Sequence, residues 1–153
     1  MKILNARVKA THIIIPAVTI LVIVVGSVIT ANNMDWYATL NLPSFTPAGW
    51  LVSLVWTIIF ILTTASAIIV WDHVSHKIDT PIMGMFIVNG FFNVLWSYEF
   101  FALHQINAAV WAAAMLVVTV VILILLIAPH RKDAAWMLVP YLGWAAFATY
   151  LTY

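Results

Sequence analysis

The stretch HIIIPAVTILVIVVGSVITA, residues 12–31, decides what kind of fold this chain adopts. It contains no Asp, Glu, Lys or Arg, and the charge-free sequence fills the whole interval between Lys9 and Asp35. A helix needs about 20 apolar residues to cross a lipid bilayer. The stretch is therefore predicted to be a transmembrane helix.

A cleaved signal peptide is the alternative interpretation of the same stretch, because Lys2, Arg7 and Lys9 form a basic N-terminal region. The apolar run is longer than the usual core of about 7–15 residues in such peptides. Pro16 and Gly26 also interrupt it. We therefore expect a retained helix.

Four more stretches are long and apolar enough to span a membrane, namely residues 49–71, 81–102, 106–128 and 134–152. Of the 153 residues, 65% are hydrophobic and 7% are charged, whereas soluble domains carry about 25% charged residues. The sequence thus predicts an all-α integral membrane protein, with one bundle of five transmembrane helices formed by residues 1–153.

The basic residues predict the orientation of this bundle. All six of them precede the first helix, separate helices two and three, or separate helices four and five: Lys2, Arg7, Lys9, Lys77, Arg131 and Lys132. These positions share one side of the membrane, which the positive-inside rule assigns to the cytoplasm. In an inner or plasma membrane the N-terminus is therefore expected in the cytoplasm. The net charge of +1 is too small to indicate a nucleic-acid partner.

The connector between helices one and two, residues 32–48, is unusual for a loop. With the start of the next helix it reads WYATLNLPSFTPAGW over residues 36–50, which is aromatic and free of charge. Pro43 and Pro47 stiffen it. It either lies across the mouth of the bundle as a lid or forms part of an interfacial aromatic belt. The residues alone favour the belt.

Three helices carry aromatic and polar side chains at a spacing of three and four residues, which places them on one helix face. Such faces either pack the core and link helices by hydrogen bonds or enclose a slot for a flat apolar ligand. The candidate residues are Trp56 and Phe60 on helix two, Asn93, Trp96 and Ser97 on helix three, and Tyr141, Trp144 and Ala148 on helix five. Asn89 and Phe100 share the face on helix three, and Ser53 that on helix two. Pro140 is predicted to bend helix five.

Several motifs of the chain resemble those of the TspO/MBR family of bacterial and mitochondrial translocator proteins. The connector is similar to the family pattern W-Y-x-x-L-x-x-P-x-W-x-P-P-G, and NVLWSYEFF in helix three matches N-x-x-W-S-x-x-F-F. AAWMLVPYLGWAAFATYL in helix five is close to A-W-x-L-x-P-Y-x-x-W-x-x-F-A. Phe45, Ala48, Ile58 and Ile59 depart from the family patterns.

The resemblance implies a pocket inside the five helices that the connector closes with Trp36, Tyr37 and Pro43. It implies binding of tetrapyrroles such as protoporphyrin IX or haem-like molecules, and of drug-like apolar ligands, in a sensory or regulatory role. No obligatory cofactor is expected. Transport of porphyrin, or its light-dependent breakdown by pocket tryptophans, is the alternative, so the resemblance leaves enzymatic activity open.

The resemblance bears on two further kinds of partner. A homodimer is implied through helix three, with Gly84 near the contact. Sterol binding is not expected, because the chain ends at Tyr153 without the basic residue of the cholesterol-recognition pattern.

The ionisable residues offer little catalytic chemistry. Glu99 is the acidic residue in the third apolar stretch, and it is either a proton relay or, as we favour, a side chain that reaches the membrane interface. Asp72, His73 and His76 stand close together in WDHVSH. For them we favour a solvated loop over a zinc site, which needs further ligands.

Overall fold

The computed structural model describes the backbone of residues 2–152 and the side chains of residues 10–152. Every regular element in this range is helical. The α-helices are α1 (Lys2–Ala31), α2 (Met34–Tyr37), α3 (Gly49–His73), α4 (His76–Ser97), α5 (Ile106–Ile127), α6 (Lys132–Met137) and α7 (Val139–Thr152). A π-helical segment, Tyr98–Ala102, continues α4.

Five stretches of these helices are long and apolar enough to cross a membrane: Ala10–Ala31, Gly49–His73, His76–Ala102, Ile106–Ile127 and Lys132–Thr152. The prediction of an all-α protein with five spans is therefore confirmed. The side chains of Lys2, Arg7 and Lys9, on which part of the predicted orientation rests, lie outside the described residues, as does Tyr153.

The spans form a closed ring. α1 packs against α3 on one side and against α4 on the other, α5 lies between α4 and α7, and α3 contacts α6. We call the end of the ring that carries residues 32–48 the connector end. The opposite end, which carries Lys77, Arg131 and Lys132, is called the basic end.

The most tightly packed part of the bundle lies between α3, α5 and the last span. Val70, Val120, Leu123, Ile127 and Leu138 are fully buried there. α1 is different, because Thr11 is the buried side chain among those described for this helix. The first span is thus the one that the rest of the protein buries least.

The third span begins at His76, five residues before Pro81, where the sequence placed its start. The backbone N–H groups of Ile78 and Asp79 both donate to the carbonyl of Ser75, which closes the first turn. Pro81 lies in the second turn, where its missing N–H removes a single backbone hydrogen bond. The helix therefore passes through the proline.

The fifth span is divided in two at Leu138, between α6 and α7. Pro140 cannot donate to the carbonyl of Trp136, four residues earlier, so the helix is interrupted in this turn. The break agrees with the bend predicted at Pro140. It allows Ser66 of α3 to donate a hydrogen bond of 2.9 Å to the backbone carbonyl of Ala134.

Candidate functional site

A central cavity of about 850 Å³ lies between α1, α3 and α4. α1 lines it with Pro16, Thr19, Ile20, Val22, Ile23, Gly26, Ser27, Thr30 and Ala31. α3 contributes Val52, Ser53, Trp56, Thr57, Phe60, Ile61, Thr64, Ala65 and Ile68, and the third span contributes Asn93, Trp96, Ser97 and Phe101.

Aromatic rings form two walls of the central cavity. On α3 the ring of Trp56 stacks on that of Phe60, with centroids 5.6 Å apart. On the third span Trp96 meets Phe101 edge-on, with centroids 6.0 Å apart. Rings in these positions offer flat apolar surfaces on which an aromatic ligand can stack.

The side of the cavity between α1 and α3 carries hydroxyl groups and is partly exposed. Thr64 of α3 donates a hydrogen bond of 2.9 Å to the hydroxyl of Thr19 on α1, and Thr19 in turn donates to the carbonyl of Ile15. Ile20 and Ile61 line the same side, and they are 58% and 63% exposed. The cavity is therefore accessible from the side of the bundle.

The structure brings five of the predicted site residues together in the cavity lining: Trp56, Phe60, Asn93, Trp96 and Ser97. The residues on the predicted face of helix three do not all line the cavity. Asn93 lines the cavity, whereas the amide nitrogen of Asn89 donates to the hydroxyl of Thr119 on α5, 2.9 Å away. Asn89 thus links helices, which is the alternative the sequence left open.

The three predicted residues of helix five lie outside this lining. Tyr141 is buried behind the α3 wall, where its ring meets that of Trp56 edge-on at 6.0 Å. Trp144 packs its ring against Phe147, and the carbonyl of Ala148 accepts a hydrogen bond from Thr152. The last span thus supports the wall of the cavity from behind, because α3 and α4 stand between it and the open space.

The connector residues also lie outside the lining, at the connector end of the bundle. Trp36 stacks on His104, with ring centroids 4.0 Å apart, and Tyr37 packs against Phe101 at 5.7 Å. Burial at this position raises the pKa of the Tyr37 phenol. Phe45 stacks on Tyr150 of α7 at 5.9 Å, whereas Pro43 is exposed.

The connector therefore contacts both the π-helical segment and α7 at this end of the bundle. Its aromatic side chains contact the residues beneath it, and Phe101, which Tyr37 touches, is itself part of the cavity lining. Tyr37 thus lies one layer of side chains away from the central cavity.

Sequence reasoning named no site residue on α1, although this helix supplies much of the lining. The spacing of residues on α1 nevertheless indicated such a face. Thr19, Ile23, Ser27 and Thr30 recur at intervals of three and four residues, so their hydroxyl and aliphatic groups share one helix face.

The ionisable groups singled out in the sequence are held apart from the cavity. Asp72 pairs with His12 of α1 at 2.7 Å, and His76 pairs with Asp79 at 2.8 Å. Glu99 lies in the π-helical segment, and its Oε2 atom is buried without a hydrogen-bond partner among the described residues.

Comparison with known proteins agrees with this architecture. The sequence profile of the TspO/MBR family matches residues 13–153. The tryptophan-rich protein TspO of Bacillus cereus is 32% identical over 145 residues, which is 95% of this chain and 94% of that protein.

Two further relatives come from other organisms. The tryptophan-rich protein TspO of Archaeoglobus fulgidus is 33% identical over 84% of this chain and 83% of its own length. The translocator protein of Homo sapiens is 27% identical over 80% of this chain and 73% of its own length.

Proposed function

The chain belongs to the TspO/MBR family, and we propose on that premise that it is a membrane receptor for tetrapyrroles such as protoporphyrin IX. It binds these and similar flat apolar molecules in the central cavity and acts in regulation, in stress or in porphyrin homeostasis. The observation that carries the proposal is a cavity of about 850 Å³ with Trp56 and Phe60 on one wall and Trp96 and Phe101 on another. Small-molecule sites in proteins typically enclose about 300–1,000 Å³ and are lined by apolar and aromatic groups.

The opening between α1 and α3 supports the same function. Ile20 and Ile61 face lipid there, so an apolar ligand enters from the membrane in which it is already dissolved. The hydroxyls of Thr19 and Thr64 lie beside this route. A ligand with a few polar groups on an apolar framework suits these surroundings best.

Titration of the purified protein with protoporphyrin IX tests the proposal. The chain has eight tryptophans, so a porphyrin bound in the cavity quenches their fluorescence. We expect a saturable curve with one site per chain. Quenching that rises in proportion to the porphyrin, without saturation, would show partitioning into detergent and would contradict the proposal.

Transport of the same molecules is the second candidate, and the name of the human relative, translocator protein, is the observation that favours it. A transporter must release its ligand on both sides of the membrane. Porphyrin uptake into sealed proteoliposomes, compared with protein-free vesicles, separates the two functions. A receptor leaves the rate of uptake unchanged.

We further propose that the basic end lies in the cytoplasm of a bacterial cell. The chain has no cysteine, so a single cysteine can be placed at Asn41 in the connector or at Ser75 at the basic end, both of which are exposed. An impermeant thiol reagent added to intact cells should label the cysteine at position 41 and not the one at position 75. Labelling of both from outside would contradict the five-span topology.

A homodimer through α4 completes the proposal. Gly84, Ile87, Val88 and Phe91 form an exposed strip on this helix, and a Cβ atom added to Gly84 would meet nothing within 4 Å. Leucine at this position fits the single chain but blocks close approach of a second α4. Gly84→Leu should therefore shift the protein in detergent toward the monomer, as measured by light scattering.

Gly143 provides the matched control for this experiment, because an added Cβ atom there also meets nothing within 4 Å, but the residue lies on α7. Gly143→Leu should leave the dimer intact. An unchanged dimer in Gly84→Leu would place the interface on another face.

A further inference from the structure

A histidine and an aspartate join α1 to α3 near the basic end of the bundle. The Nε2 atom of His12 lies 2.7 Å from the Oδ2 atom of Asp72, and the two side chains are 41% and 21% exposed. This pair is separate from the hydrogen bond between Thr64 and Thr19, which lies in the cavity lining between the same two helices. The pair is therefore a second polar contact across the opening of the central cavity.

The His12–Asp72 pair lies at the edge of the central cavity. Pro16 follows His12 by four residues on α1, and it lines the cavity. Ile68 precedes Asp72 by four residues on α3, and it lines the cavity as well. Residues four apart lie on the same face of a helix. The pair thus holds the two cavity walls together one helical turn beyond the lining.

α1 has a weak point next to this pair. Pro16 lies inside the helix and cannot donate to the carbonyl of His12, four residues earlier, so this turn lacks one backbone hydrogen bond. Kinks in long helices are found mostly at such prolines. Thr11 is buried, but Ile13 and Ile14, which follow it in the same turn, are 71% and 55% exposed. A bend of α1 at Pro16 therefore disturbs few backbone hydrogen bonds and little apolar packing.

The hydrogen bond between Thr64 and Thr19 limits how far along α1 such a bend extends. Thr64 donates to Thr19 over 2.9 Å, and Thr19 donates to the carbonyl of Ile15. Both hydroxyls are partly buried, so water competes for this bond less than for the more exposed pair. Pro16 lies between the two contacts, and a bend there moves the part of α1 that precedes it.

We propose that His12 and Asp72 form a latch that controls ligand exchange. While the pair is intact, α1 is held against α3 at the edge of the cavity. When the pair separates, the part of α1 before Pro16 bends away, and the opening between the two helices widens toward the basic end. The role in ligand exchange rests on the binding function proposed above, whereas the movement of α1 does not.

Distances between two spin labels test the movement in the absence of any ligand. The chain has no cysteine, so labelled cysteines can be placed at Ile14 and Ser75 across the latch, or at Val24 and Leu54 beyond the hinge. All four positions are exposed. Asp72→Ala should add a longer distance to the first pair and leave the second pair unchanged. An unchanged first pair would overturn the latch, and a change in both pairs would overturn the hinge at Pro16.

Exchanging the two residues of the latch separates its loss from a general effect of the substitution. His12→Asp combined with Asp72→His keeps both side chains and should restore the original distance. Asp133→Ala is the matched control, because this carboxylate pairs with Arg131 at the same end of the bundle without involving α1. It should change no distance. An exchange that restores nothing, or an equal effect of Asp133→Ala, would contradict the latch.

The release of bound protoporphyrin IX tests the role in ligand exchange. The complex is diluted into porphyrin-free lipid vesicles, and the recovery of tryptophan fluorescence gives the dissociation rate. Asp72→Ala should speed release about three- to fivefold, the range that corresponds to a partly exposed ion pair, and the exchanged pair should restore the slow rate.

The two measurements distinguish failure of the latch from failure of the binding function. Unchanged release in a variant whose distances have changed would overturn the role of the latch in ligand exchange. If protoporphyrin IX does not bind the wild type saturably, the proposed binding function fails and the exchange role fails with it. The label distances still decide whether His12 and Asp72 hold α1 in place.

Discussion

Trp56→Ala is expected to weaken protoporphyrin IX binding about tenfold or more while the bundle stays folded. Trp56 lines the central cavity and stacks on Phe60, so alanine removes a surface on which the ligand lies. Aromatic stacking is worth on the order of 1 kcal/mol beyond the burial of area. The lost apolar contact adds to this, and about 1.4 kcal/mol corresponds to a factor of ten in affinity. The quenching titration measures the loss, and circular dichroism verifies the fold.

Trp111→Ala is the control for this experiment. It removes the same fluorophore from α5, where the side chain is 74% exposed and lies outside the cavity lining, and porphyrin binding should not change. Trp144→Ala should cost less than Trp56→Ala, because the Trp144 ring packs against Phe147 outside the cavity lining. Equal losses at Trp56 and Trp111 would indicate nonspecific partitioning, and the binding function would fail with the pocket.

The five spans could be predicted from the sequence because a span depends on the summed hydropathy of some 20 residues and not on any single contact. Their ends are less predictable. Pro81 was placed at the start of the third span, yet the helix begins at His76, since the bonds from Ile78 and Asp79 to Ser75 close its first turn. Such a turn depends on local backbone geometry that hydropathy does not contain.

Part of the candidate site was predictable for a similar reason. Trp56 and Phe60 share a face of α3, and Asn93, Trp96 and Ser97 share a face of the third span, because residues three and four apart lie together on any helix. All five line the central cavity. The spacing gives the face of one helix, and the aromatic character of the side chains indicates that the face is turned inward.

The remaining site residues depended on how the helices pack, which spacing does not determine. Tyr141 is buried, but α3 lies between its side chain and the cavity. The Tyr141 ring therefore packs against the Trp56 ring from the side away from the cavity. Trp36 and Tyr37 pack on His104 and Phe101 next to the π-helical segment. The extra residue in a π-helical turn changes which side chains face the connector. No residue type in the sequence indicates that a π-helical turn forms here.

The sequence does not predict which side of α5 faces the protein interior. Between Ile106 and Ile127 this helix is apolar on every side apart from a few small polar groups, and a helix that is hydrophobic all round has no distinguishable inner face. In the structure, α5 nevertheless has a buried side and an exposed side. Leu123 is fully buried, whereas Leu125, two residues later, is 67% exposed.

Leu123→Ala and Leu125→Ala therefore make the same chemical change on opposite sides of one helix. Lipid is as apolar as leucine, so helices in a membrane are held together by close packing and not by transfer out of water. Leu123→Ala leaves a cavity in the core and is expected to lower the free energy of unfolding by about 2 kcal/mol or more. Leu125→Ala loses contacts that lipid or detergent replaces, and it should change that free energy by less than about 0.5 kcal/mol. Thermal or denaturant unfolding in detergent measures both, and equal effects would mean that α5 is rotated about its axis relative to this structure.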